Sequence, residues 1–458
     1  MGMAKSDAII FFGASGDLAY KKIFPALQAM ARYGHLEMPV IGVAKTDWNL
    51  EQLKDRVRDS LTQHGGLDAQ AFAKLSGLLR YVSGDYRERE TFERLRTELG
   101  SAERPLYYLA IPPSMFPTVI EGLAKSGCLQ NSRVVVEKPF GRDLASAQAL
   151  NRTLHAHFPE QAVFRIDHYL GKEPVQNLIY FRFANPFFEA GWNRRYIERV
   201  QITMAEQFGV AGRGRFYEET GAIRDVAQNH MLMVIALLAM EQPAGSGHES
   251  IRDERAKVLK AIRTLTPSDV VRGQFRGYRR EDGVASDSQV ETFVALQVHI
   301  DNDRWAGVPF YVRAGKCLPV TATEVLVEFK RPPLPVLDET EPPLPNHFRF
   351  QLNPDVLIVL GTKAKAPGEL MTGERIELVA RHCSGDEMGP YERLLGDAIK
   401  GDPTLFVRED GVEAAWRAVE PILGTATPLY EYEPNTWGPN EADRFIGDGG
   451  WHNPKADT

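Results

Sequence analysis

A chain of 458 residues, 43% hydrophobic and 25% charged, has the composition of a soluble globular protein and length enough for two or three domains. A net charge of -7 with a pI near 6.0 offers no basic face for nucleic acid, so any anion must be met by local groups. The three cysteines, Cys128, Cys317 and Cys383, are far apart and form no CxxC pair, which indicates neither a disulfide framework nor a zinc site and fits a reducing cytoplasm.

The first third alternates apolar strands with amphipathic helices. AIIFFG (8–13) and VIGVA (40–44) read as buried strands, and between them Ile23, Leu27, Met30 and Ala31 recur at helical spacing, with Gly34 as a C-cap and Pro25 beginning or kinking the helix. LRYVSGD (79–85), LYYLAIPP (106–113) and RVVVEKPFG (133–141) continue the series, which predicts a doubly wound parallel sheet, an α/β Rossmann domain. After RIDHYLGKEP (165–174) the pattern changes. VQITMAEQF, VETFVALQVHI, PFYVRAG, TEVLVEFKR, HFRFQL and DVLIVLG are grouped strands, with helices over 223–241 and 252–263, as in an α+β domain with a large, mainly antiparallel sheet. The boundary falls near residue 175, giving a nucleotide-binding domain over 1–175 and a substrate-binding and dimerisation domain over 176–458. The proline-rich stretch 331–346 reads as a surface loop. No apolar run approaches the ~20 residues of a membrane span, and MLMVIALLAM (231–240) reads as a buried helix.

The first strand runs into Gly13-Ala14-Ser15-Gly16-Asp17-Leu18 and then a helix. Glycines at such a turn let the backbone approach a pyrophosphate, and the helix N-terminus attracts it. The spacing is GxxG rather than GxGxxG, and an ordinary tight turn would also need glycine; position in the first βα unit favours the dinucleotide. Lys45 and Thr46 follow the second strand, where a cation suits the 2′-phosphate of NADP; Asp47 keeps NAD as a second choice.

Three further segments carry polar groups. VVVEKPFG sets Glu137 and Lys138 at the C-terminal edge of a strand, where open α/β sheets bind ligands. RIDHYLGKEP crowds Asp167, His168, Tyr169 and Lys172 around a glycine, as a substrate site or as a solvated connection. In IRDVAQNH, Asp225 and His230 are five apart, about 500° around an α-helix, so they share no tight face. A histidine there serves structure or catalysis. Imidazole, with an ordinary pKa near 6.5, is a competent base for the hydroxyl proton lost as an alcohol gives hydride to a nicotinamide, and that chemistry needs no metal.

GASGDLA, EKPFG, RIDHYLGKE, IRDVAQNH and YVRAGK, in this order and at these distances, closely resemble the glucose-6-phosphate dehydrogenase family over nearly the whole chain. The resemblance implies a Rossmann domain followed by a β+α domain, a homodimer or dimer of dimers through the large sheet, a sugar phosphate substrate, and NADP as cofactor without metal. It implies His230 as the base on the anomeric hydroxyl and Asp167 as its orienting carboxylate. His168, Tyr169 and Lys172 would hold the 6-phosphate, and Glu206 and Asp225 the sugar hydroxyls. Lys138 would bridge cofactor and sugar, and Lys316 would contact the phosphate end. Gly13, Ala14, Ser15, Gly16, Asp17 and Leu18 would meet the pyrophosphate, Lys45 the 2′-phosphate, and Asp85 and Tyr86 the adenosine.

Three departures stand out. Thr321 replaces an arginine or lysine carried by many members, Lys45 stands where many have arginine, and Tyr20 where lysine or threonine is more usual. The competing readings are a dehydrogenase of another sugar or sugar phosphate and a non-catalytic NADP or sugar-phosphate sensor. Relatives of glucose-fructose oxidoreductase and inositol dehydrogenase usually show GxGxxG and a shorter Asp-to-His gap.

Overall fold

The computed structural model describes residues 4–245, 247–335, 344–382 and 388–455, which form two compact units. The first comprises Met1–Glu173, Pro243–Asp253 and Glu387–Glu413; the second comprises Pro174–Gln242, Glu254–Asp386 and Ala414–Thr458.

The first unit is built on six parallel strands, β1 (Ala8–Phe12), β2 (Val40–Ala44), β3 (Leu79–Ser83), β4 (Pro105–Leu109), β5 (Arg133–Glu137) and β6 (Val163–Ile166), in the order β3-β2-β1-β4-β5-β6. Both faces are covered, so the strands are continuous apolar runs rather than alternating ones; every residue of β1, β2 and β4 is buried. Strand order reverses between β1 and β4, which opens the crevice at their C-terminal ends where such sheets bind ligands. The expected first helix is present: a π-helical turn, Ala19–Ile23, leads into Phe24–Arg32, with Pro25 in its first turn and Gly34 at φ +72° just past its end.

Residues 387–413 return to pack against β5 and β6. Arg133 donates to the Ile399 carbonyl at 2.9 Å, Phe164 meets Phe406 edge-on at 4.9 Å, and Arg165 bridges to Val407. The Arg165 guanidinium is fully buried and gives both oxygens of Glu160 hydrogen bonds of 2.9 Å, while Arg252 adds a third contact at 3.2 Å. The root of the RIDHYL segment is thereby fixed by charge as well as by sheet pairing.

The second unit holds nine strands: β7 (Ile197–Ala205), β8 (Val270–Phe275), β9 (Phe293–Val298), β10 (Phe310–Gly315), β11 (Ala322–Phe329), β12 (His347–Asn353), β13 (Val356–Lys365), β14 (Gly373–His382) and β15 (Leu429–Tyr432). Their order is β14-β13-β12-β11-β7-β10-β9-β8-β15. Pairing is antiparallel except at β7–β10 and β8–β15. The six grouped strands read from the sequence are β7 and β9–β13; β8, β14 and β15 were not anticipated. Residues 331–335 of the proline-rich stretch are exposed, whereas 336–343 and Cys383 lie outside the described residues.

One helical run, Gly214–Ala239, is long and apolar enough to cross a membrane, but 89% of its apolar window is buried within the protein, as a core helix would be. Gly221, at φ +63°, breaks the run before a π-helical stretch, Ile223–Met231, which gives way to the wholly buried α-helix Leu232–Ala239. Glu291 caps this restart: its carboxylate accepts from Ile223 N–H at 3.1 Å and its carbonyl from Ala222 N–H at 2.9 Å. A β-carbon on Gly221 would come within 2.5 Å of that carboxylate. Arg272 neutralises Glu291 across 3.2 Å, both side chains being almost wholly buried. Removing one partner of a buried pair leaves the other charge uncompensated, so Arg272→Ala is expected to cost about 3–5 kcal/mol in denaturant unfolding. A loss under about 1 kcal/mol would show that the pair does not hold the restart.

Candidate active site

The turn after β1 is shaped by a close approach of two backbones. Gly13 sits at φ +88°, and a β-carbon there would lie 2.2 Å from the Ala110 carbonyl oxygen, just beyond β4. Its N–H points to the Val43 carbonyl and the Tyr86 hydroxyl, both at 2.9 Å, and that hydroxyl in turn donates to Val43 at 3.0 Å. Gly16 N–H closes the turn on the Gly13 carbonyl at 2.9 Å, and Thr46 donates to the Ser15 hydroxyl at 2.8 Å. Ala14 is buried, whereas Gly16 and Asp17 are exposed at the rim and Ser15 and Leu18 partly so. A glycine cradle at the crevice of a doubly wound sheet fits a dinucleotide pyrophosphate.

Around this loop, Lys45 pairs with Asp85 at 2.9 Å while remaining 77% exposed. The Lys45 hydrogen bond, helped by Arg87 N–H, holds the Asp85 carboxyl below the usual carboxylate range. Tyr86, assigned to the adenosine from the resemblance, places its hydroxyl beneath the loop, a strut that sequence reasoning missed. Tyr20 also finds a role: it donates to Asp59 at 2.6 Å and lies under the Arg56 guanidinium at 3.8 Å, tying the first helical turn to the helix Leu50–Gln63.

The ends of β5 and β6 carry the other polar groups of this unit. Lys138 follows Glu137 and precedes Pro139 across a cis peptide bond. Beyond β6, Asp167 accepts from Tyr169 N–H at 3.0 Å and is almost wholly buried. Successive carbonyls of Asp167, His168 and Tyr169 accept from Leu170, Gly171 and Lys172 N–H, which winds RIDHYLGK into a compact turn. Lys172 Nζ stands 3.9 Å over the Tyr169 ring, and the rings of His168 and Tyr391 are nearly parallel. Tyr391 escaped the sequence reading because it lies more than 200 residues from His168 and carries no motif visible in one sequence.

In the second unit, β7 and β10 are parallel neighbours with Ala205 opposite Gly315, so the next residues, Glu206 and Lys316, emerge side by side and form an ion pair. Lys316 Nζ lies 4.9 Å from the Phe208 ring and 5.6 Å from the Tyr217 ring. Burial raises the Tyr217 hydroxyl well above its ordinary value, and the carboxylates of Asp225, Glu206 and Glu291 push it the same way. Asp225 and Glu206 thus both act on Tyr217. Thr321, where a cation was missing, accepts from Gln207 N–H at 3.0 Å and pins the loop that follows Glu206.

The α-helical reading of Asp225 and His230 is corrected by the structure. The segment is π-helical, with Asp225 in its first turn and His230 in its last, and in an i→i+5 ladder residues five apart stack one turn above the other. His230 is buried, and its N–H donates to Asn229 Oδ1 at 2.6 Å.

A glycine-cradled loop on a doubly wound sheet, with a second unit whose carboxylates and lysine suit a hydroxyl-rich anion, defines a two-domain nicotinamide-dependent dehydrogenase. Residues 10–177 match the profile of glucose-6-phosphate dehydrogenase, NAD binding domain, and 179–452 that of its C-terminal domain. Glucose-6-phosphate 1-dehydrogenase 1 of Mycobacterium bovis is 43% identical over 460 residues, covering 99% of this chain and 97% of its own. A crystal structure of glucose-6-phosphate 1-dehydrogenase from Mycobacterium avium superposes with a TM-score of 0.93 at 43% identity, covering 99% of this chain and 100% of that one. A glucose-6-phosphate dehydrogenase in complex with glucose 6-phosphate superposes at 0.91 and 35% identity, with the same coverage. The chain belongs to the glucose-6-phosphate dehydrogenase family, and it is an oxidoreductase that oxidises glucose 6-phosphate with a nicotinamide cofactor.

The loop geometry makes a sharp expectation. Gly13→Ala combines a left-handed backbone with a collision and should weaken NADPH binding, read by fluorescence titration, about tenfold or more. Gly34→Ala, at φ +72° with nothing within 4 Å, should cost only about 1–2 kcal/mol of stability and leave the affinity unchanged. Equal affinities in the two variants would contradict the assignment of the loop.

Proposed function

We propose that the chain oxidises glucose 6-phosphate at C1 to 6-phosphoglucono-lactone with NADP as the preferred acceptor, the first step of the oxidative pentose phosphate pathway. When bound, the nicotinamide takes up the hydride from C1. Residues 1–175 hold the dinucleotide, through Gly13, Ala14, Ser15, Gly16, Asp17 and Leu18 at the pyrophosphate, and residues 176–458 supply most of the sugar site and the dimer surface. His230 removes the anomeric hydroxyl proton at an imidazole nitrogen, and Asp167 orients the ring and stabilises its cationic form. His168, Tyr169 and Lys172 bind the phosphate, with Lys316 at the same end; Glu206 and Asp225 accept from sugar hydroxyls, and Lys138 serves both ligands. The observation that carries this reading is the π-helical stretch, which supports a shared role for Asp225 and His230 by stacking them one turn apart.

The preference for NADP rests on Lys45, whose exposed ammonium beside Asp85 and Tyr86 suits a 2′-phosphate. Lys45→Ala should raise KM for NADP about tenfold and leave KM for NAD within about twofold, since only NADP offers the phosphate. We place the protein in the cytoplasm, on its cysteine usage, as a homodimer or dimer of dimers built through the large sheet, without a nucleic acid or membrane partner.

Initial rates with glucose 6-phosphate and a few other sugar phosphates, each with NADP and NAD, test substrate and cofactor together. No rate with glucose 6-phosphate under either cofactor would sink the reading in favour of another sugar or a sensor. His230→Asn should lower kcat by about 10²–10⁴, the usual contribution of a general base; an unchanged rate would remove His230 from the mechanism.

A further inference from the structure

Glu137 ends β5 immediately before Lys138, and none of the roles assigned above uses it. Its carboxylate accepts hydrogen bonds from the hydroxyls of Tyr108 and Tyr391. The two tyrosines come from distant parts of the first unit. Tyr108 is a fully buried residue of β4, and Tyr391 stands in the first turn of the helix Pro390–Lys400. Tyr391 then lies almost flat beside the His168 imidazole, with ring centroids 6.4 Å apart and planes within 9°.

The groups facing Glu137 are Tyr108 from β4, Lys138 beside it, Asp167 from the turn after β6, and Tyr391 from the helix. Burial pushes its pKa up to about 7; the two tyrosine hydroxyls and Lys138 oppose that rise, and the Asp167 charge adds to it. Apolar side chains would fill the same space without the cost of desolvating a carboxylate. A charge kept at such a cost, next in sequence to Lys138 and linked through the Tyr391 ring to His168, points to function.

We propose that Glu137, gripped by Tyr108 and Tyr391, is a positioning residue that sets the His168 ring and the backbone leading into Lys138, so that one carboxylate aligns two substrate-binding side chains. The inference deepens the functional reading above and rests on it. The ionised carboxylate accepts from both phenols. Once protonated, one of its oxygens becomes a donor, an acceptor site is lost, and Tyr391 is no longer held against His168. Affinity for glucose 6-phosphate therefore falls as Glu137 takes up a proton. Removing the Tyr391 hydroxyl severs the same link at every pH, so the weaker binding then no longer waits on protonation of Glu137.

The test is KM and kcat of the wild type, Tyr391→Phe and Glu137→Gln between about pH 5.5 and 8.5, with thermal unfolding at each pH. Tyr391→Phe keeps the ring but not the hydroxyl, and should raise KM for glucose 6-phosphate about fivefold at the alkaline end, where the wild type binds best, with little further rise toward acid. Glu137→Gln should show a KM raised about tenfold and flat across the range. KM for NADP should follow the wild type in both. The proposal is overturned if Tyr391→Phe keeps the wild-type KM and pH profile, or if the variants differ from the wild type only in melting temperature. Should Glu137→Gln fail to fold, Tyr391→Phe decides alone. A wild type without glucose 6-phosphate oxidation overturns the functional reading and this one with it; an active wild type whose KM profile Tyr391→Phe reproduces overturns this one only.

Discussion

Parallel strand pairing is the constraint on which both halves of the chemistry depend. Two parallel neighbours end at the same edge, so whatever follows each is delivered side by side. In the first unit the C-terminal ends of β1, β4, β5 and β6 deliver Gly13, Ala110, Lys138 and Asp167 in this way. The second sheet is mostly antiparallel, yet at β7 and β10 it adopts the same rule, and Glu206 and Lys316 emerge paired. One of the sheet's two parallel pairings thus builds a polar site that hairpins alone would have scattered to opposite edges.

Charges in the interior hold the segments that strand pairing does not. Arg165 with Glu160 roots the turn that carries Asp167, Arg272 with Glu291 starts the π-helical stretch that carries His230, and Arg182 with Glu189 lies among the carbonyls that end the core helix. Taking such groups out of water is expensive, and each is matched by several donors and acceptors in fixed geometry. That cost is tolerated where the backbone departs from ordinary α or β form and cannot satisfy itself: at a kink, a helix restart or an irregular turn.

The sequence reveals the first sheet almost completely, because strands buried on both faces read as unbroken apolar runs such as VVV at 134–136. The glycine turn, the EKP segment and the cluster after β6 are legible for the same reason, as punctuation between such runs. The strand β14 is not, since GERIELVARH mixes charges with exposed Leu378 and Val379 and matches no buried pattern. The π-helical register is also invisible: nothing in IRDVAQNH announces five rather than four residues between hydrogen-bonded groups, and an α-helical period turns Asp225 away from His230. The strut role of Tyr86, and Glu291 and Tyr391 altogether, escape because each works through a partner many residues away, which periodicity cannot reach.

The first unit is not finished when its six strands are. Arg133 needs the Ile399 carbonyl, Arg165 needs the strand-like residue Val407, and Glu137 needs Tyr391, all supplied by the stretch up to Glu413. During synthesis the nucleotide-binding sheet therefore waits, with a guanidinium and a carboxylate lacking their final partners, until most of the second unit has left the ribosome. With chains growing at about 5–20 residues per second, that interval is on the order of ten seconds or more, and through it the sheet edge at β6 has only part of its native cover. The first unit is complete only once residue 413 has emerged, and a fragment ending near residue 175 would lack part of its native cover.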